Sequence, residues 1–486
     1  MEQFVYHKLG YLEKSGGYYG KKKELGVDSM GIQKTMRFGD FMGDGIGQIP
    51  LNALSCLVGQ LTYFYTEKVG LAAASVATML IIAKILDAFT DLIMGKIMDS
   101  VHFKDGKARP WFKIMAIPVA AIMVLLFTVP AGAASGLQTG YVLLTNILCT
   151  AVVYTAVAIP YGAMMAMRTN SVEERGKMGI FRAVFGYAIG MIIAIGLIPI
   201  TNALGGNQAA WIKVAVIMAA ISAFSMIVLY RSSKENGSGE KKSVDELEEE
   251  KMSFAQEIGL LFKNKYWVLM LVANLFMNIS YGLSSSGGAY YAKYILGNDN
   301  IVALLGAVGL IPTFLGFILV GPMTKKFGMA KTCLIGCVIG IVGCIARVFT
   351  PYSLVSCLVG GSMATFANIP IMCLMGAMVN NCVEYNDWKF GKRMIGMSNS
   401  ASSFGSKIGS GIGGSLIGWI LGACGFISGA AVAEQPAAVN GGIFAFSIYV
   451  PLFLLVVMAV IFSRYDLEKI YGKIMSELNE RNKEGK

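Results

Sequence analysis

Three charges stand one turn apart inside an apolar run, Lys84-Ile-Leu-Asp87-Ala-Phe-Thr90-Asp91. At about 100° per residue they share one narrow helical face. An ionised side chain in the middle of a span costs about 3 kcal/mol on insertion scales, so each charge there is a functional candidate. Two carboxylates one turn apart at low dielectric repel each other unless a cation sits between them or one holds a proton. That is the chemistry of a Na⁺ or H⁺ site. A plain ion pair of Lys84 with either acid would leave the other carboxylate unexplained. Lys407 lies deep in another apolar run among Ser400, Ser402, Ser403, Ser406 and Ser410, and Arg182 opens a third. Arg347 reads as an anchor, and Tyr63-Phe64-Tyr65 as an interfacial aromatic belt.

The elements that must position these residues are membrane helices. Of 486 residues, 55% are hydrophobic and 15% charged, and mean hydropathy is +0.60. Soluble domains carry about 25% charge, so soluble domains and disorder are both excluded. Crossing ~30 Å of hydrocarbon takes about 20 apolar residues. Such runs fall near 40–66, 71–97, 114–134, 140–166, 179–201 and 208–230, then near 266–293, 300–322, 331–350, 353–380, 396–424 and 441–463. The expected fold is therefore all-α and membrane-embedded, with an N-terminal segment 1–38, a six-helix half 39–231, a polar linker 232–265, a second half 266–463 and a tail 464–486. The linker has room for a short surface helix carrying Phe254, Ile258, Leu261 and Phe262, and an ordinary flexible connector is the equal alternative. No signal-peptide core precedes the first span, which must insert uncleaved.

Lys and Arg crowd loops 99–113, 167–178, 323–331 and 381–395 and are absent from 135–139, 202–207 and 425–440. By the positive-inside rule both termini are cytoplasmic and the protein spans the inner membrane, in contact with lipid. The +11 net charge is thus a topology signal and gives no support to nucleic-acid binding. The 9 cysteines lie in or beside apolar runs and read as helix-packing residues. His7 and His102, the two histidines, fall outside the spans. A His proton relay, an in-membrane zinc site and a Ser-His-Asp triad are excluded, and no phosphate loop argues for ATP hydrolysis. The chain reads as no enzyme, with no cofactor beyond a coupling ion.

One loop recurs half a chain later. Gly95-Lys-Ile-Met-Asp99 with Asp105-Gly-Lys-Ala-Arg-Pro110 is echoed by Gly321-Pro-Met-Thr-Lys325-Lys-Phe-Gly328-Met-Ala-Lys331. In each, Gly95 or Gly321 is expected to let two helices approach. Asp99, Arg109, Arg175, Lys325, Glu384 and Arg393 are the candidate gating charges on this side. Two repeated halves that rock about a central site describe a secondary transporter.

The chain resembles the glycoside-pentoside-hexuronide:cation symporters, the melibiose permease family of the major facilitator superfamily. The likeness is carried by Phe64-Tyr-Thr-Glu-Lys-Val-Gly70, by Asp87-Ala-Phe-Thr-Asp-Leu-Ile-Met-Gly95 with Gly106-Lys-Ala-Arg-Pro-Trp111, and by Tyr154-Thr-Ala-Val-Ala-Ile-Pro-Tyr161. Glu174-Arg175 with Arg182, and Glu384-Tyr-Asn-Asp-Trp-Lys-Phe-Gly-Lys-Arg393 leading to Lys407, complete it. The resemblance implies a cation site of Asp87, Thr90, Asp91 and Thr155, with Asp87 and Asp91 as metal ligands if the ion is Na⁺. It implies a sugar site of Asn52, Tyr154, Arg182 and Lys407, and a monomer that imports sugar with Na⁺ or H⁺. Ala158, Gly162 and Asn381 depart from the acid, aromatic and acid of the permease, and its first-helix acid is matched by Asn52 or Leu51 on counting and by Asp44 on motif. Loss of acids beside retained Arg182 and Lys407 implies an anionic or less polar glycoside such as a hexuronide. A non-sugar solute carried by the same fold, and a transporter-like sensor, stay open as alternatives.

Overall fold

A computed structural model describes residues 26–27, 33–101, 103–130, 132–169, 171–235, 254–392 and 394–484. Among them twelve apolar rods follow the expected order, α1 to α12. The first, α1 (38–69), is assembled from Phe38–Gly45, Gln48–Gly59, Leu61–Phe64 and a π turn Tyr65–Val69. It breaks where Gly45 and Gly47 meet the rings of Phe185 and Tyr161, each of which a Cβ would approach to 2.6 Å. Next come α2 (Ala73–Ser100), α3 (109–125, in two pieces), α4 (135–168, with a π segment Leu148–Tyr154), α5 (Val172–Ala203) and α6 (Gln208–Ser232). The second half is α7 (Lys265–Tyr290, continued by the π turn Tyr291–Ile295), α8 (Ile301–Phe327), α9 (Met329–Phe349), α10 (Leu354–Phe390), α11 (Ile395–Ala423) and α12 (438–464). Eight of these are long and apolar enough to cross a membrane on composition alone. The other four are broken (α1, α3), charged (α2) or rich in Ser and Gly (α11). Ile117, Phe224, Ile318, Phe349 and Phe453 point outward, the surface that lipid rather than water solvates.

Where the halves meet, small residues on α11 admit α2. A Cβ at Gly422 would come to 2.8 Å from that of Ala74, and one at Gly411 to 2.9 Å from that of Lys84. Among the described residues, polar contacts between the halves run from mid-span to the face opposite the chain ends, here the far face. There Glu67 pairs with Lys293 and accepts the Tyr294 hydroxyl at 2.6 Å. The Tyr63 hydroxyl donates to Asp299 at 2.8 Å, the Asn202 amide donates to Asp299 at 2.9 Å, and the hydroxyls of Thr66 and Tyr290 meet at 2.6 Å. Tyr63, Phe64 and Tyr65 form no interfacial belt. All three are buried, because Phe64 packs on Phe127 and Trp211, and Tyr65 donates to Leu126 O. Arg347 is likewise buried, tied to Ser447 O and stacked over Tyr291.

The face bearing the chain ends, the terminal face, shows the loop repeat in a different form from that expected. Gly95 and Gly321 have open space where a side chain would go. Close approach belongs instead to Gly106 and Gly328, both at positive φ (116° and 86°). Against each stands a carboxylate: Glu235 accepts the backbone N–H groups of Lys107, Ala108 and Arg109 at 2.9–3.0 Å, and Glu468 accepts those of Met329 and Ala330 at 2.8 and 3.0 Å. Glu235 and Glu468 each follow an Arg by four residues, Arg231 and Arg464, at the ends of α6 and α12. The first residues of the expected linker are thus clamped to the α2–α3 loop. The expected tail is a helix, Leu467–Glu484, that buries Leu467, Ile474 and Leu478 and holds α10 through Glu477 with Trp388 and Arg481 with Asp387. The described part of the linker, Phe254–Lys263, is helical and buries Leu261.

Candidate cation and substrate site

Asp87 is 1% exposed on α2, and the face it shares with Lys84 and Asp91 turns toward α4 and α11. A π segment precedes Thr155, whose hydroxyl donates to the Thr150 carbonyl at 3.2 Å. The same hydroxyl lies 3.2 Å from Asp87 Oδ1 and 2.9 Å from Asp91 Oδ1. Four oxygens from two helices therefore converge, the donor type that hard cations take. Thr90 turns away, its hydroxyl donating to Asp87 O at 3.1 Å within its own helix.

Lys407, assigned by resemblance to the sugar, has its ammonium between the two acids, 3.1 Å from Asp87 Oδ1 and 2.5 Å from Asp91 Oδ2. Lys84 approaches Asp87 Oδ2 at 3.6 Å. The cation that repulsion between the carboxylates calls for is supplied by the chain itself.

A second pair lies on α1 and α5. Arg182 grips Asp44 with two bonds, Nε to Oδ2 at 2.7 Å and Nη2 to Oδ1 at 2.9 Å, and Asp44 is 0% exposed. The guanidinium stacks on the Tyr161 ring at 3.8 Å, and the Tyr161 hydroxyl donates to Asp44 O at 2.8 Å. Arg182 is thus buried inside the bundle rather than extended to a membrane interface. Between the first-helix alternatives, Asp44 is the one that meets it. Asn52 is half-buried and donates to Gln48 O and Oε1 at 2.9 and 2.8 Å.

Tyr154 is half-buried at the end of the π segment, next to Thr155 in the chain. Tyr281 on α7 and Tyr187 on α5 were not singled out in the sequence; both are exposed, and Tyr187 donates to Met372 Sδ at 3.2 Å. Asn274 ties α7 to α11 through Ser402 O and Ser406 Oγ. Gly162 faces open space, so no side chain replaces the absent aromatic there.

The candidate gating charges that are described, Arg109, Arg175, Lys325 and Glu384, belong to the terminal face. Arg109 donates from Nε to Tyr230 O at 2.9 Å and stacks on that ring, and Arg175 donates to Thr169 O at 2.9 Å. Lys325 is exposed and Glu384 half-buried. The Asp99 side chain and Arg393 lie outside the described residues. The contacts described for Arg109 and Arg175 stay within the first half, whereas the far face is bridged.

A family model described as MFS/sugar transport protein matches residues 43–469. An isoprimeverose transporter of Lactiplantibacillus pentosus is 29% identical over 435 residues, covering 87% of each chain. A glucuronide carrier protein homolog of Escherichia coli strain K12 is 27% identical, covering 87% of this chain and 91% of that one. Among solved structures, a bacterial homolog of the human lysosomal transporter Spinster superposes with a TM-score of 0.64 at 14% identity, covering 91% of this chain and 99% of that one, a likeness of fold. With helices long and apolar enough to cross a bilayer, and a match that spans nearly all of them, the chain belongs to the MFS/sugar transport family and is a multi-pass membrane transporter, not an enzyme.

Proposed function

We propose that this transporter imports a sugar, a glycoside, pentoside or hexuronide, in symport with Na⁺ or H⁺ by alternating access. The observation that carries the reading is the Lys407 ammonium between Asp87 and Asp91 beside the Thr155 hydroxyl. An incoming cation takes the place of that ammonium. The released ammonium, on a side chain that reaches the gap between the halves, becomes a donor for sugar hydroxyls. Cation then favours sugar, and by linkage sugar favours cation by the same factor. The basic loops put the terminal face in the cytoplasm. On that orientation the bridged far face is a closed outer gate, one end point of a rocking cycle.

Uptake of labelled glycosides, pentosides and hexuronides into proteoliposomes, with an imposed Na⁺ gradient, H⁺ gradient or neither, tests the reading. One sugar class should accumulate under one gradient. Asp87→Asn and Asp91→Asn should each lower gradient-driven accumulation at least about tenfold, the loss of roughly 1.4 kcal/mol of coupling. Undiminished accumulation in both variants would remove the cation site from α2.

A further inference from the structure

The α2–α3 loop, the start of α3 and the end of α6 border a cavity of about 410 Å³ on the terminal face. Its walls are of two kinds. Lys104 from the loop and Lys113 from α3 bring charge, and neither has a carboxylate partner among the described residues. Phe103, Ile114 and Ile117 bring apolar surface, and Ile117 is 79% exposed. Tyr230 of α6 joins the two. Its ring takes the Arg109 guanidinium at 4.6 Å and the Lys113 ammonium at 5.7 Å, and its hydroxyl donates to Asp105 at 2.8 Å. The ring thus places the Lys113 ammonium while leaving its N–H donors unspent.

The neighbourhood is positive. Lys104, Lys107, Arg109 and Lys113 stand against Asp105 and Glu235, and both acids are engaged, Asp105 by the Tyr230 hydroxyl and Glu235 by three backbone N–H groups. The cavity therefore suits an anion. Its apolar wall says which kind. Ile117 follows Lys113 by four residues, about 6 Å further along α3 and on the same side, so it belongs to the surface that lipid solvates. Ile227, three residues before Tyr230 on α6, is also exposed. A soluble anion would meet only the ammonium groups. A phospholipid uses both walls, its phosphate at the basic rim and its chains on the isoleucines.

We propose that the groove between α3 and α6 binds one anionic phospholipid, its phosphate between Lys104 and Lys113 and an acyl chain against Ile114 and Ile117. A lipid seated there fastens the α2–α3 loop, which Glu235 already clamps, to the edge of the bilayer.

The test titrates the whole chain, purified in detergent, with dioleoyl phosphatidylglycerol or dioleoyl phosphatidylcholine. Native mass spectra give the apparent Kd of the first lipid retained. Phosphatidylglycerol should bind at least about tenfold tighter than phosphatidylcholine. Lys104→Gln should weaken phosphatidylglycerol about fivefold and Lys104→Gln/Lys113→Gln about twentyfold, a factor of about five for each lysine beside an anionic headgroup. Lys469→Gln/Lys473→Gln removes the same charge from the C-terminal helix and should change binding by less than about twofold. Equal affinity for the two lipids overturns the proposal; so would a groove filled by the chain's own acids, Asp245 to Glu250, which gives that result. An equal loss in the Lys469 and Lys473 variant also overturns it, since attraction would then lie with surface charge at large. Inorganic phosphate in excess should leave the lipid bound, and displacement by phosphate would make this a site for a free anion instead. If the double variant fails to fold, Lys104→Gln alone, altered at an exposed loop side chain, must still show its fivefold loss.

Discussion

A lysine lodged between two acids acts as a resident counter-ion, and its removal leaves a demand for another. In Lys407→Gln, Asp87 keeps Lys84 but Asp91 loses its cation. The variant should melt at a temperature that rises with Na⁺, or with acid if the ion is a proton, more steeply than the parent, with apparent affinity for the ion about tenfold higher. Flat melting curves in both titrations would take Lys407 out of the cation site. Arg182→Ala makes the converse case, since it strands Asp44 where water does not reach. Breaking one side of such a pair costs about 3–5 kcal/mol, so thermal unfolding in detergent should fall steeply, and a change of a degree or two would deny the pair its part in holding α1 to α5. The two acids of α2 were legible in the sequence because helical spacing alone puts them on one face. Asp44 was legible only as an alternative, because the Gly-Asp motif points to it whereas counting back from Thr66 points to Leu51 or Asn52.

Among the elements, the twelve spans and their order could be read from apolar length and the placement of Lys and Arg. Clamps at the helix ends could not, because they join residues more than 120 positions apart. The loop repeat was visible, but its working glycines are Gly106 and Gly328, beyond the ends of α2 and α8, and not Gly95 and Gly321 within those helices. An alanine at Gly106 would be strained by its positive φ, and its Cβ would lie 2.5 Å from the Glu235 carboxylate. Gly106→Ala should therefore destabilise by about 1–2 kcal/mol and expose the α2–α3 loop to protease, and Gly328→Ala should do the same to the α8–α9 loop. Equal cleavage rates in parent and variants would show that neither loop depends on its carboxylate. The C-terminal helix escaped the sequence reading for a related reason: its short apolar stripe, Leu467, Ile474 and Leu478, has a purpose only against α10.

For the whole molecule, the far-face bridges decide which end is shut. The Glu67 carboxylate receives both Lys293 and the Tyr294 hydroxyl, and it must lose both when the halves part on that side. Glu67→Gln keeps a hydrogen-bonding group but discards the ion pair. It should move the conformational balance toward far-face opening by several-fold, a bias of about 1 kcal/mol or more. Distances between spin labels across the far face would register this as a larger share of long separations, and an unaltered distribution would deny the pair its part in the seal.

The matched pairs at the centre bear on how the membrane potential acts. A unit charge crossing the full field gains or loses about 2.3 kcal/mol per 100 mV. With three cations set against three carboxylates, the ion pairs of the empty carrier add no net charge to its return. That return should be insensitive to voltage. In the symport reading with a neutral sugar, the loaded passage moves the single positive charge of the coupling ion, and the whole electrical driving force falls on that step. Current recorded on supported membranes should then appear when sugar and cation are supplied together and be absent during empty return.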